Sequence, residues 1–423
     1  MTLSRRRFLH LLGGSAVGLT AAGLAPPTAD IPAAEEEEWV RPRDRWTPKE
    51  EQWITSVCQQ CPGGCGIRVR LVDGYAVKIE GNPLHPLNRG GLCPKGHAGL
   101  QVLYDPDRIT GPLKRAGERG EGRWEPISWN EAVSLVAGRL KRLRADGRPE
   151  QLLALCGQVR GAVPDLLERL CHTVGSPNFI TNEAYCSGAS SLVNVLTTGV
   201  EEPLAYDLEQ SGCILSFGVG FLEAWWSPVR QARIFGTLHQ GRRQRGQLIQ
   251  VEPRLSVTAA KADEWVPIRP GTDAALALGL AYILIKEELY DTDFVAKHTF
   301  GFESWTDKSG RRREGLKEYI LAKYAPTDVS HITGVSVSTI VRLARLLFQL
   351  RPSVAIAERG AVSHTGGLYT RLAIHSLNAL LGSIDTPGGV VRPPRLPLTP
   401  WPEPPLDKVA RQGLEQPRLD GAG

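Results

Sequence analysis

Apolar positions along this chain follow two patterns. Residues 67–83, "IRVRLVDGYAVKIEGNP", alternate apolar and polar on either side of Asp73-Gly74, which predicts a β-hairpin closed by a two-residue turn. Trp129 to Arg144 carries its apolar residues at helical spacing. Beyond it, short apolar runs that end in glycine alternate with helix-like stretches. "QLLALCG" precedes Val163 to Val174; "SGCILSFGVG" precedes "SPVRQARIFGTLHQG" and the run "QLIQVEP"; "PSVAIAERG" precedes "LYTRLAIHSLNALLG". Such alternation predicts an α/β fold of mainly parallel sheets with helices on both faces. Open sheets of this kind bind ligands at the carboxyl ends of their strands, where "FGVG" and "VEPR" fall. Cys156 and Cys213 lie in apolar runs and Cys171 in a helical one, so all three read as packing residues.

Composition narrows the class. Hydrophobic residues make up 42% and charged residues 22% of 423, as in globular proteins, and that length holds about two or three domains. No internal repeat is present. The net charge of +5 gathers at Arg5-Arg6-Arg7, Arg242-Arg243-Arg245 and Arg311-Arg312-Arg313, none interleaved with aromatics. These clusters read as solvated loops, and no nucleic-acid partner is expected.

The first residues, "SRRRFLHLLGGSAVGLTAAGLA", join arginines to an apolar run broken by Gly13, Gly14, Gly18 and Gly23. Ser4-Arg5-Arg6-Arg7-Phe8-Leu9 resembles the twin-arginine export signal, which a receptor reads to pass folded proteins across a membrane. A membrane-anchor helix is the other reading, of borderline length. Residues 1–47 are thus expected to be signal and linker. Residues 393–423 are expected to be a proline-rich, poorly periodic tail.

Half of the eight cysteines are concentrated in one segment, as Cys58-x2-Cys61-x3-Cys65-x27-Cys93. Gly63-Gly64 lets the backbone turn tightly enough to aim three thiolates at one centre, and the predicted hairpin returns the chain so that Cys93 rejoins them. Four thiolates suit a structural zinc or a [4Fe–4S] cluster. Three ligands in one loop and one from afar favour the cubane over zinc, with disulfides third. Export of the folded state lets a cofactor be inserted before transport, so signal and cysteines share one explanation.

Residues 50–110 resemble the iron–sulfur domain of the molybdopterin oxidoreductases, the bis-pterin family related to dimethyl sulfoxide reductase. The resemblance rests on the cysteine spacing and on "GLCPKGHAGLQVLYDPDRITGPLKR". It extends through "LIQVEPRLSVTAAKADEWVPIRPGTDAALALGLAYILI" and "HSLNALLGSIDTPGGVV", from residue 50 to 392. It implies a small iron–sulfur β domain over 48–110 and two αβα domains, one from 111–183 with 346–392, the other, pterin-binding, from 184–345. The implied cofactors are a [4Fe–4S] cluster on Cys58, Cys61, Cys65 and Cys93 and molybdenum or tungsten bis-molybdopterin guanine dinucleotide.

By the same resemblance Lys95 lies between cluster and pterin and assists electron passage. Glu252 and Arg254 end a strand near the nucleotide, and Arg269, Pro270, Gly271, Thr272 and Asp273 form the loop against its guanosine and phosphate. The chemistry of that loop agrees: a glycine-containing turn that opens the helix Ala274 to Ile285 offers free N–H groups to an anion. Asp273 is placed to cap the helix or accept from a base. Cys186, in "TNEAYCSGASSLVNVLTTG", occupies the slot of the residue that binds molybdenum or tungsten, and a soft thiolate suits it.

Ser187 stands where formate dehydrogenases of the family carry a histidine, which weighs against formate. "SFGVGFLEAWWSPVRQAR" looks more like the polysulfide, thiosulfate and tetrathionate reductases and their quinone-linked relatives, some of which bind no molybdenum. His364 has two readings, facing the pocket or satisfied in the core. The expected activity is that of an exported respiratory oxidoreductase, periplasmic or on the outer face of the cytoplasmic membrane, acting on a sulfur or other oxo compound; the alternative is a molybdenum-free iron–sulfur electron-transfer or scaffold subunit of a quinone-linked membrane complex. Expected partners are a ferredoxin-like iron–sulfur subunit and a quinone-reactive integral membrane subunit. Family members continue into a C-terminal barrel-like domain, so this sequence is expected to be either the first part of a split or truncated protein, with a separate chain to supply that domain, or a reduced form with no complete molybdenum site.

Overall fold

The computed structural model describes residues 50–157, 161–181, 188–200, 203–240, 245–393, 399 and 401–421. The export-signal and linker segment, Cys186 and Ser187 lie outside them. Two compact units divide the chain, residues 1–52 with 72–75 and residues 53–71 with 76–423. In the first, Asp73 N–H donates to the Glu50 carbonyl at 3.0 Å and the Asp73 carboxylate accepts from Glu50 N–H at 3.0 Å. Asp73 and Gly74 both take positive φ, 50° and 83°, the conformation of a two-residue hairpin turn. Strands β1 (Glu51–Val57), β2 (Gly66–Val72) and β3 (Tyr75–Gly81) form one sheet in that order, and a short helix α1 (Pro94–His97) follows Cys93.

Next comes a small module. Helix α2 (Trp129–Ala145) starts at Ser128, whose hydroxyl accepts from Glu131 N–H at 3.1 Å, and no residue of α2 is buried. Strand β4 (Ala154–Cys156) and strand β5 (Phe179–Thr181) pair in parallel with Leu155 opposite Ile180, joined by α3 (Ala162–Val174). Helix α4 (Gly188–Thr198) follows.

The main core surrounds a second parallel sheet built from β6 (Cys213–Phe217), β7 (Gln247–Val251), β8 (Glu264–Val266) and β9 (Ser353–Ala357), in the order β8–β7–β6–β9. Strands β6 and β9 are buried along their whole length. Alternate residues feed two cores, as a strand's period of two requires. Leu215, Phe217, Ile249 and Val251 face one; Ile214, Leu248, Val354 and Ile356 face the other. Helix α5 (Pro228–His239) covers the second face with Ile234 and Leu238. The first is covered by α6 (Asp273–Lys286), almost wholly buried, with α7 (Pro326–Thr333), α8 (Val337–Gln349) and α9 (Gly367–Leu380). The αβα layering follows directly: each strand is apolar on both sides, so both sides need helices.

One expectation needs correction. The expected domains group residues 346–392 with 111–183, but β9 pairs with β6 in register Ser353 to Cys213, so this segment completes the sheet of 213–266. "SVAIA" is buried on both faces, and the β4–β5 pair offers no such enclosure. The proline-rich tail carries one short helix. Asp407 caps a helix, α10 (Lys408–Leu414), whose Ala410 and Gly413 are buried. There Gly175 lies so close that a Cβ on it would stand 2.7 Å from Ala410 Cα. The Asp407 carboxylate takes a guanidinium hydrogen bond from Arg144, and Asn178 accepts from Leu419 N–H at 2.9 Å. Among the described residues no single helix is long and apolar enough to cross a membrane.

Candidate functional site

Cysteine placement depends on backbone closure rather than on the thiols. Cys58 N–H donates to the Cys65 carbonyl at 2.8 Å, closing the loop that holds three of them. The fourth is returned by Asn88, which is fully buried. Its amide oxygen accepts from Gly66 N–H at 2.9 Å, and its nitrogen donates to Gly66 O at 2.9 Å and Gly91 O at 2.7 Å. One side chain thereby ties the residue after Cys65 to the residue two before Cys93. Gly81 permits the approach, since a Cβ there would stand 2.3 Å from the Gly90 carbonyl oxygen.

Burial raises the Cys65 thiol above its usual value; a hydrogen bond from Ser227 lowers it, and the charges of Cys58, Cys61 and Cys93 raise it further. Cys58, Cys61 and Cys93 therefore each lie within electrostatic reach of Cys65. Among the described residues no three Cys, His, Asp or Glu side chains stand as a group that could hold a metal ion. Four thiols are nonetheless a donor set that suits an iron–sulfur cluster or a structural zinc. Ser227 lies 3.5 Å from Cys65 Sγ and is also the N-cap of α5, so the positive end of a helix faces these thiols. Gly63 is wedged here, where a Cβ would meet both Cys61 Sγ and Ser227 Cα at 3.2 Å. Lys95 sits in α1, exposed, two residues past Cys93.

The second candidate region is the carboxyl edge of the four-stranded sheet. From β6 the chain runs one way to β7 and β8, whereas β9 adds on its other side much later, so the strand order reverses between β6 and β9. Such reversals open a crevice for ligands. Glu252, at the end of β7, is buried and accepts from the Ser256 hydroxyl, while Trp265 Nε1 donates to its carbonyl at 3.0 Å. Arg254 is exposed. Gly271 takes φ +76°, and nothing lies within 4 Å of where its Cβ would be, so the turn presents open backbone. Thr272 turns inward, donating its hydroxyl to Arg269 O at 2.7 Å.

Asp273 opens α6 in a buried position, and burial pushes its carboxyl up to about 6; the only hydrogen bond to its carboxylate among the described residues is with its own backbone N–H. A buried acceptor with no side-chain partner beside an open glycine turn fits a nucleotide base. Arg269 is committed elsewhere: its guanidinium donates to the carbonyls of His331 and Ile332 at the end of α7. His364 is satisfied locally. Its Nδ1 accepts from Gly366 N–H at 3.1 Å and its Nε2 contacts Ala361 O at 2.8 Å, which assigns the proton to Nε2.

Sequence reasoning missed a charged group below this edge. Glu358, directly after β9, lies 3.6 Å from Arg371 of α9, which also donates to the Ala357 carbonyl and to the Tyr206 hydroxyl. Burial raises the Glu358 carboxyl against the pull of Arg371. His375, one turn further along α9, is pushed down to about 4 by burial and then by Arg371. The strand-end "ERG" was the available signal. Asn88 and Ser227 were missed too; "SP" marks a helix start, but nothing local ties it to Cys65.

Residues 108–393 match the family model of molybdopterin oxidoreductase, and residues 51–105 match that of the molybdopterin oxidoreductase Fe4S4 domain. The menaquinone reductase molybdopterin-binding-like subunit of Nitratidesulfovibrio vulgaris is 32% identical over 92% of this chain and 52% of its own length. The arsenate respiratory reductase molybdopterin-containing subunit of Shewanella sp. strain ANA-3 is 28% identical over 100% of this chain and 51% of its own. For the thiosulfate reductase molybdopterin-containing subunit of Salmonella typhimurium the values are 30%, 92% and 48%. The chain thus spans about half the length of these relatives. Among solved structures, acetylene hydratase from Pelobacter acetylenicus superposes with a TM-score of 0.65 at 27% identity, covering 79% of this chain and 44% of that one.

Proposed function

The chain belongs to the molybdopterin oxidoreductase family and carries its Fe4S4 domain, and from that premise we propose that it is the catalytic subunit, or the N-terminal portion of one, of an exported respiratory oxidoreductase. In this reading it moves electrons between a molybdenum or tungsten centre and a [4Fe–4S] cluster, with a sulfur or other oxo compound as substrate. When bound, the two groups supply oxo- or sulfur-transfer and one-electron transfer respectively. Cys58, Cys61, Cys65 and Cys93 would hold the cluster. Asp273 and the open turn at Gly271 would take the guanosine end of the pterin cofactor, with Glu252 on the neighbouring strand end. Lys95 would lie on the side facing the pterin, and Cys186 would ligate the metal. A ferredoxin-like subunit and a quinone-reactive membrane subunit complete the electron path, and the N-terminal arginines direct twin-arginine export.

The observation that carries this reading is the approach of Cys58, Cys61 and Cys93 to Cys65, with Asn88 tying their loops together and the N-terminus of α5 beside Cys65. Anaerobically purified protein is expected to hold about four irons, matching acid-labile sulfide, and stoichiometric molybdenum or tungsten. Neither iron nor sulfide would end the proposal. A second reading, a molybdenum-free electron-transfer or scaffold subunit of a quinone-linked membrane complex, is favoured by the relative named only molybdopterin-binding-like. Iron without molybdenum or tungsten selects it.

A further inference from the structure

Position 66 has to be glycine because an imidazole occupies the space a side chain there would need. A Cβ on Gly66 would stand 2.4 Å from Cγ, 2.5 Å from Cβ and 2.6 Å from Cδ2 of His85. The ring of His85 therefore lies against the main chain of the residue directly after Cys65. Backbone holds it there. Asn82 N–H donates to Gly66 O at 2.9 Å, His85 N–H to Asn82 O at 3.2 Å, and Arg89 N–H to His85 O at 2.9 Å. The Asn82 side chain accepts from Leu84 N–H at 3.0 Å, and Asn88 ties Gly66 to Gly91.

In this turn, residues 82–91, one buried side-chain polar atom is left over: Nδ1 of His85 has no hydrogen-bond partner among the described residues. His97, four residues past Cys93, is the contrast, since its Nδ1 meets the Ile79 carbonyl at 3.1 Å. Leaving a buried nitrogen unpaired costs more than one ordinary hydrogen bond gains. Packing on Gly66 asks only for a flat ring, and a phenyl group would supply that without the cost. The nitrogen of His85 therefore serves a partner outside the polypeptide. Its turn joins the residue after Cys65 to the residue two before Cys93, so the ring belongs to the frame of two candidate cluster ligands.

We propose that His85 carries its proton on Nδ1 and donates it as a hydrogen bond to a sulfur of the iron–sulfur cluster. The inference rests on the reading that Cys58, Cys61, Cys65 and Cys93 hold that cluster. Sulfide and thiolate sulfurs are anionic acceptors, and an added electron makes them stronger ones. An N–H donated to such a sulfur therefore stabilises the reduced state over the oxidised one, and it raises the reduction potential. His85 thus tunes the electron affinity of the site, while the backbone of its turn sets the position of Gly66.

The test uses the full chain, purified anaerobically. His85→Phe keeps a ring on Gly66 and removes the donor, whereas His85→Asn keeps a side-chain N–H in place of Nδ1–H. In an electron-paramagnetic-resonance titration H85F is expected to hold about four irons and to favour the oxidised state about fivefold more than the native chain. At about 59 mV per tenfold change for one electron, that is a fall of ~40 mV. H85N is expected to stay within about twofold of the native chain. Pulsed resonance on reduced native protein with isotopically labelled histidine should show a nitrogen coupling that H85F lacks. An unshifted potential in iron-replete H85F, or no such coupling in the native chain, overturns the proposal and leaves the cluster reading intact. Should H85F retain no iron, the other two measurements decide: a missing native coupling, or H85N displaced by fivefold or more, overturns it. A native chain with neither iron nor labile sulfide overturns the cluster reading itself, and this inference with it.

Discussion

The four-stranded sheet β8–β7–β6–β9 and the two-stranded sheet β4–β5 are both parallel, and both are linked by right-sized helical crossovers, but only the first is enclosed. Its strands "CILSF" and "SVAIA" are buried at every position, between a layer of α6, α8 and α9 and a layer containing α5. In β4 the central leucine is exposed, and α2 has no buried residue at all. The local sequences are alike in pattern. What differs is how many other segments return to cover each sheet, and that is a property of the whole chain rather than of the strand.

That contrast can be broken most forcefully by truncation. Phe217→Ala in β6 is expected to cost ~3–5 kcal/mol in urea unfolding, and Leu155→Ala in β4 less than ~0.5 kcal/mol. Equal losses would mean that the small sheet is covered after all. The enclosed sheet also carries a titration penalty at its edge. Asp273 keeps its proton in the folded chain up to about pH 6, whereas the unfolded chain releases it near the usual value of 3.8. Stability therefore falls as pH rises across that window. Asp273→Asn removes the penalty: melting curves should show a gain of up to ~3 kcal/mol at pH 7.5 and none at pH 4. The same variant should lose guanine-nucleotide affinity.

The cysteine loops extend the comparison to a region held by polar groups instead of apolar ones. Asn88→Ala leaves Gly91 O and Gly66 N–H without their partner and should cost about 2 kcal/mol, with less iron retained after anaerobic reconstitution. The smallest expected effect is at Ser227. Removing one hydrogen bond of ~1 kcal/mol from Cys65 should lower the cluster's reduction potential by about 40 mV in an electron-paramagnetic-resonance titration, with iron content unchanged.

Much of this was legible in sequence where the signal is local. The turn at Asp73-Gly74, helix α2 and the strands around Cys213, Leu248 and Val354 fall where the apolar periodicity puts them. The sheet to which β9 belongs was not legible, because parallel pairing joins residues 140 positions apart, Cys213 and Ser353, and no local residue reports it. Helix α10 was hidden by its brevity among prolines, although Asp407 is an ordinary cap. Within the site, residue types announced the cysteines and the "RPGTD" turn. The resemblance implies Arg269 in the nucleotide loop; its guanidinium caps α7, a partner sixty residues away that no spacing rule announces. Asn88 and Ser227 are common residue types, and their roles emerge only when distant backbone comes within hydrogen-bond distance.

The contact between Gly218 and Gly360 carries a kinetic consequence. Gly360 N–H donates to Gly218 O at 3.1 Å, and a Cβ on either glycine would stand 2.5–2.6 Å from the other segment's backbone. Main chain thus meets main chain at this point of the crevice, so parting its two lips here must break a backbone hydrogen bond and is slower than the flicker of a side chain.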